Sequence, residues 1–159
     1  MIKATTTSVD DTRALAAGVS ALAAPGDLVI LAGDLGAGKT AFAQGFAHGL
    51  GVDEPVTSPA FILVRTYEGR LPMVHLDVYR LDTMQELVDL GIAELLDEGA
   101  VTLIEWGDAV APGLPADFLE VRLEPGGGPD DRELTIRSVG PAWPPRERAL
   151  REAVAPWVV

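Results

Sequence analysis

Apolar positions along this chain alternate between a strand rhythm and a helix rhythm. Asp27 to Ala32 is a short apolar run bounded by Pro25-Gly26 and Gly33, which predicts a buried parallel strand. Thr40 to Leu50 then places Phe42, Phe46 and Leu50 four residues apart, which predicts a helix with one apolar face. Upstream, Ile2 to Thr7 reads as an edge strand. Thr12 to Ala24 reads as an Ala/Leu-rich helix, opened by the capping-box-like Ser8-Val9-Asp10-Asp11 and ended by Pro25-Gly26.

Downstream, Val52 to Ala60 carries Pro55 and Pro59, has no period and reads as a loop. Phe61 to Tyr67 and Met73 to Tyr79 are β-rich runs flanking Glu68-Gly69-Arg70-Leu71-Pro72, so a hairpin is predicted. A helix opens at Asp82-Thr83-Met84-Gln85, carries Met84, Leu87, Val88, Gly91, Ile92 and Leu95 on its core face and stops at Gly99. Ala100 to Glu105 reads as a second buried strand, and Asp108 to Ala116 as a loop. Asp117 to Leu123 and Glu133 to Val139 alternate and are joined by Pro125-Gly126-Gly127-Gly128-Pro129, which predicts a hairpin at one sheet edge with a flexible tip. A last helix starts at Pro144-Pro145, with Ala149, Leu150, Ala153, Val154 and Trp157 facing in. This order predicts an α/β fold in a single domain, residues 1–159.

The junction between the first buried strand and its helix carries the chemistry. Gly33-Asp34-Leu35-Gly36-Ala37-Gly38-Lys39-Thr40 fits G-x-x-x-x-G-K-[ST], a loop that cradles nucleotide phosphates. The glycines let backbone N–H groups turn toward an anion where side chains would interfere. The helix start, Lys39-Thr40-Ala41, aims its unpaired amides and positive dipole end at the same place. Lys39 supplies a full charge for the β- and γ-phosphates, and the Thr40 hydroxyl is a hard oxygen ligand for Mg²⁺. The chain has only one other lysine, Lys3. Gly36 to Ala41 also fits the dinucleotide fingerprint G-x-G-x-x-A. The acid that motif requires about 20 residues later has no good counterpart, because Asp53 and Glu54 come early in a Pro-containing loop.

Asp77 follows an apolar run, as a Mg²⁺-organising acid should. Glu105 ends another, and an acid at a strand's carboxyl end in an open α/β sheet points to the ligand crevice. Each alone also suits a solvated strand end; two beside one phosphate loop form a candidate metal shell. His75 reads as a packed, hydrogen-bonded strand histidine. Arg80 meets a phosphate or pairs with Asp82. Thr57-Ser58-Pro59-Ala60-Phe61 is either a switch loop at the γ-phosphate or an irregular connection with a hydroxyl-capped turn. Trp106 stacks on a base or a partner, or fills the core rim.

Charge narrows the partners. Twelve basic residues face twenty-four acids, a net −12, which argues against strong direct nucleic-acid binding. There is no cysteine, no apolar run long enough to span a membrane, and no apolar leader at Met1 to Thr7, so a cytoplasmic protein is expected. A guanine-specific switch would need an Asn/Thr-Lys-x-Asp motif, but the chain has no asparagine and no lysine after Lys39. A small-molecule kinase would want an arginine-rich lid, and Arg132, Arg137, Arg146, Arg148 and Arg151 are late and scattered.

Four motifs in order (Gly33 to Thr40, Thr57 to Phe61, His75-Leu76-Asp77-Val78-Tyr79-Arg80 and Glu105-Trp106) resemble the signatures of the bacterial ATPase subunit of tRNA threonylcarbamoyladenosine biosynthesis, the TsaE/YjeE family. The family usually has Thr where this chain has Ala60. The resemblance implies a P-loop NTPase-type domain with a mixed, mostly parallel central sheet flanked by helices. It implies ATP and Mg²⁺ as ligands and slow ATP hydrolysis by the chain alone. The implied partners are a threonylcarbamoyl transferase subunit and its dimerising partner, with tRNA engaged only indirectly. It assigns Gly33 to Ala41 to the phosphates, and Thr40, Asp77 and Glu105 to the metal. Lys39, Asp77 and Glu105 become the catalytic candidates, Thr57 and Ser58 a γ-phosphate sensor, and Ser8 and Arg132 groups that approach the nucleotide. A nucleotide-gated binding module with incidental hydrolysis is the alternative function.

Overall fold

The computed structural model describes residues 1–34, 36–57, 64–77, 91–105 and 115–159. Leu35, Ser58, Ala60, Arg80, Trp106, the first part of the helix expected after Asp82 and most of the loop expected over 108–116 lie outside the described residues. The chain runs β1 (Ile2–Thr6), α1 (Val9–Ser20), β2 (Leu28–Ala32), α2 (Lys39–Gly49), β3 (Val64–Tyr67), β4 (Met73–Asp77) and α3 (Ile92–Asp97). It continues through β5 (Val101–Glu105), β6 (Phe118–Pro125), β7 (Arg132–Val139), a 3₁₀ turn (Pro144–Arg146) and α4 (Glu147–Ala153).

One seven-stranded sheet has the order β1-β7-β6-β2-β5-β4-β3. The centre is parallel: β2 pairs with β5 and β6, and β5 with β4. The flanks are antiparallel, β1 with β7, β7 with β6, and β3 with β4. Only β3 and β7 therefore oppose the common direction, and the sheet is mixed and mostly parallel. The hairpin predicted at an edge, β6–β7, is not at the edge, because β1 adds outside it. Its Gly-rich connection is tied rather than open. Asp131 accepts from the Gly128 amide at 3.0 Å, and its carbonyl accepts from Gly126 at 2.8 Å.

All five residues of β2 are buried, as are those of β4 and β5. This is the signature of strands covered on both faces. On one face Val29, Leu31, Leu103, Leu119 and Val121 meet Leu15, Val19, Phe42 and Phe46 of α1 and α2 in the main core. Burying each such large side chain stabilises by roughly 1.5–3 kcal/mol. The two helices approach closely because α2 presents glycine. A Cβ on Gly45 would collide with the Arg13 backbone, and one on Gly49 would lie 2.8 Å from the Ala17 carbonyl.

Helix α1 starts where expected, with the Ser8 hydroxyl accepting from the Asp11 amide at 3.0 Å. It ends at Ser20 and not at Ala24. Beyond Ser20 the chain tightens into three-residue turns, Leu22 N–H to Val19 O and Ala23 N–H to Ser20 O, and Arg70 in the β3–β4 turn also donates to the Ser20 and Ala23 carbonyls at 3.0 and 3.2 Å. Beyond it, the Asp27 carboxylate takes the Ala24 amide at 2.8 Å. In the last helix Leu150 and Val154 are buried as expected, but Ala149 is exposed.

Candidate functional site

The parallel centre of the sheet places three carboxyl strand ends together. Leu31 registers with Glu105, and Glu105 with Asp77. Neighbouring strands lie about 4.8 Å apart, so the two acids stand side by side next to the exit of β2. That exit is the glycine loop. Gly33 has φ +148, and an added Cβ would lie 2.5 Å from the Leu123 carbonyl of β6. Only glycine fits there without moving the neighbouring strand. Gly36 and Gly38 also have positive φ, +81 and +104, and no described atom lies within 4 Å of a Cβ built on Gly36. The loop is thus an open cradle shaped by backbone.

Lys39 begins α2 and is 5% exposed. Its ammonium donates to the carbonyls of Gly33 at 2.6 Å and Asp34 at 2.9 Å. A buried cation requires such acceptors, and these two fix the side chain across the loop it serves. Among the described residues helix α2 has no side-chain cap, and its first backbone bond is Phe42 N–H to Gly38 O at 3.0 Å. The opening amides, those of Lys39, Thr40 and Ala41, therefore end in the cradle with the positive end of the helix. This donor set fits a phosphate chain.

Arg132 reaches the loop from outside. At the start of β7, it donates Nε to Ala37 O at 2.9 Å and Nη2 to Gly36 O at 3.3 Å. Nη1 bonds the Pro129 and Asp131 carbonyls at 2.9 and 2.8 Å. Composition and spacing carry no hint of this contact across more than ninety residues; only the family resemblance points to Arg132. Ser8 sits near the same sheet end, two residues past Thr6, whose register partner is Arg132. Its hydroxyl is engaged in capping α1.

Segment 52–57 runs back along α2 toward the cradle. Val52 N–H bonds Ala47 O, and Val56 O accepts from Gln44 at 3.0 Å. Thr57 is exposed at the end of this run.

The buried acids are not alone. His75 Nε2 lies 2.5 Å from Glu105 Oε2, with the two side chains 0% and 5% exposed. His75 is packed and hydrogen-bonded, as its strand position predicts, but the sequence does not name Glu105 as its partner. The available signal is the alternation of β4, which puts His75 on the same face as Asp77. Among the described residues no group of three or more histidine and carboxylate side chains is gathered to hold a metal. Two carboxylates on adjacent strand ends suit Mg²⁺, which takes one or two protein carboxylates and completes its shell with phosphate and water.

Comparison with known proteins agrees with this geometry. A family model described as "Threonylcarbamoyl adenosine biosynthesis protein TsaE" matches residues 6–134. A Bacillus subtilis (strain 168) protein named tRNA threonylcarbamoyladenosine biosynthesis protein TsaE is 41% identical over 140 residues, 87% of each chain. The Treponema pallidum protein of the same name is 42% identical over 116 residues, 73% of this chain and 86% of its own. The crystal structure of Bacillus subtilis YdiB superposes with a TM-score of 0.78 at 36% identity, covering 98% of this chain and 97% of that one. The strand–glycine loop–helix unit, the paired strand-end acids and these matches over most of the chain agree, and the chain belongs to the TsaE family.

Proposed function

We propose that this chain, as one phosphate-loop domain spanning 1–159, binds ATP and Mg²⁺ and hydrolyses ATP as a subunit of the machinery that installs threonylcarbamoyladenosine in tRNA. The observation that carries the ATP reading is the buried Lys39 ammonium at the root of an open glycine cradle, with Asp77 and Glu105 aligned on adjacent strand ends. Gly33 to Gly38, Leu35 among them, wrap the phosphates with backbone amides, and the start of α2 adds those of Lys39, Thr40 and Ala41. Lys39 exchanges loop carbonyls for phosphate oxygens.

The Thr40 hydroxyl, Asp77 and Glu105 hold the metal. A bound Mg²⁺ would supply positive charge against the developing negative charge of phosphate transfer. Thr57, at the end of the segment along α2, and Ser58 sense the γ-phosphate, and Ser8 and Arg132 border the nucleotide. Positioning and charge stabilisation are the sources of rate in such a site.

The relatives' names place them in tRNA threonylcarbamoyladenosine biosynthesis. By that likeness the partners are a threonylcarbamoyl transferase subunit and its dimerising partner, in the cytoplasm. The net charge of −12 supports a chain that meets tRNA through those partners and not by gripping phosphates itself. Among the described residues no helix is long and apolar enough to cross a membrane.

ATP turnover by the purified chain, alone and then with the two partner subunits and tRNA, tests this. Slow turnover that rises with partners supports the proposal. Turnover indifferent to them but raised by a small-molecule acceptor overturns it in favour of a kinase. An Asp77→Ala chain that binds ATP, does not hydrolyse it and still sustains tRNA modification would leave only a nucleotide-gated binding module.

A further inference from the structure

We infer that His75 is a positioning residue that fixes the Glu105 carboxylate for the metal, an inference that rests on the reading of Glu105 as a metal-shell group. Asp77 registers with Glu105, and His75 with Leu103. Strand alternation then puts His75, Asp77, Leu103 and Glu105 on one face, with His75 diagonal to Glu105. The imidazole is fully buried, and its Nε2 meets Glu105 Oε2 at 2.5 Å.

The other ring nitrogen decides the hydrogen placement. Nδ1 is buried and has no hydrogen-bond partner among the described residues. A hydrogen there would be an orphaned donor, so the hydrogen belongs on Nε2, donated to the carboxylate. The ring is therefore a one-sided donor packed into the sheet. It occupies Oε2 and leaves Oε1 as the oxygen available to the metal or to a water on it. Histidine suits this position because its ring is stiff, reaches across one strand spacing and buries an apolar edge. Partners that orient a metal-shell group in this way typically account for about 10–100-fold in metal affinity or activity.

The test compares His75→Gln, which keeps an N–H donor near the Nε2 position, with His75→Leu, which fills volume and donates nothing. ATP affinity is measured with EDTA and across a Mg²⁺ series, alongside kcat and KM. His75→Leu is expected to bind ATP in EDTA within about twofold of wild type and to need about tenfold more Mg²⁺ for tight binding and turnover. Its kcat falls while KM for ATP holds, and His75→Gln recovers most of the loss. A His75→Leu protein with wild-type Mg²⁺ demand and kcat overturns the inference alone. Wild-type protein with no Mg²⁺-dependent ATP binding removes the site reading, and the inference with it. Imidazole ¹⁵N shifts of the unaltered protein give a check that needs no variant to fold: Nε2 protonated supports the assignment, and Nδ1 protonated overturns it.

Discussion

At its start β2 is held by a bidentate ion pair; at its finish it runs into a glycine loop whose carbonyls take a lysine and an arginine. Asp27, just before the strand, takes two guanidinium nitrogens of Arg146 at 2.5 and 2.9 Å, and Arg146 also donates to Leu22 O at 3.1 Å. The same guanidinium lies 4.2 Å over the ring of buried Trp143. At the other end of the strand Gly33, at φ +148, turns the chain into a cradle of backbone amides, spanned by Lys39 and flanked by Arg132. The contrast shows how a glycine loop proposed to hold phosphate can stay open. Its parent strand is anchored at the far end by a bidentate, mostly buried pair, so the loop itself need not provide cohesion.

The comparison breaks most visibly at Lys39. Lys39→Ala is expected to lower ATP turnover on the order of 10³-fold. Melting should shift little by comparison, about 1 kcal/mol net, since the change relieves the desolvation of a buried ammonium as well as removing bonds to loop carbonyls. Arg146→Ala should do the reverse. It leaves the Asp27 carboxylate buried without its partner, costing about 3 kcal/mol, or roughly 10 °C in Tm. ATP affinity of the folded protein should hold, and calorimetry with nucleotide titration checks both halves.

Arg132→Ala sharpens the picture from outside the loop. Loss of its bonds to Gly36 and Ala37 should weaken ATP binding about tenfold, near 1.4 kcal/mol, with partial recovery in Arg132→Lys. The smallest effect belongs to Glu120, away from both ends. The hydrogen bond from Arg137, at 2.9 Å, holds its carboxyl below the usual 4.5 despite burial. A depressed folded value stabilises above pH 4.5 and loses that contribution as pH falls through the folded value. Arg137 is half exposed, so the contribution is about half a kcal/mol. Denaturation between pH 5 and about 3 should show it, and Glu120→Gln should flatten that part of the curve.

Much of this is legible in the sequence because it is local. The apolar run of β2, the phenylalanine spacing of α2, the glycine loop and the acids closing two strands each lie within a few consecutive residues. What escapes the sequence depends on partners far along the chain. Arg146 reaches Asp27 across 119 positions, and Arg132 reaches Ala37 across 95. No periodicity announces either. The end of α1 falls short of its sequence pattern where distant groups also meet it: Arg70 bonds the Ser20 and Ala23 carbonyls, and Asp27 takes the Ala24 amide. The β6–β7 hairpin lies inside the sheet because β1 returns to flank it, and nothing in β6 or β7 records that. His75 is half legible: its burial follows from the strand pattern, but its partner requires the register of β4 against β5.

The close approach of α1 and α2 has a consequence for how such chains diverge. Gly45 and Gly49 lie outside the glycine cradle, yet a Cβ at either would enter the backbone of α1. Descendants that keep this helix spacing are confined to glycine at both positions as tightly as they are at Gly33. In a column-by-column comparison of such sequences the helix glycines would look as invariant as the loop glycines, and invariance alone would mistake a packing constraint for a binding one.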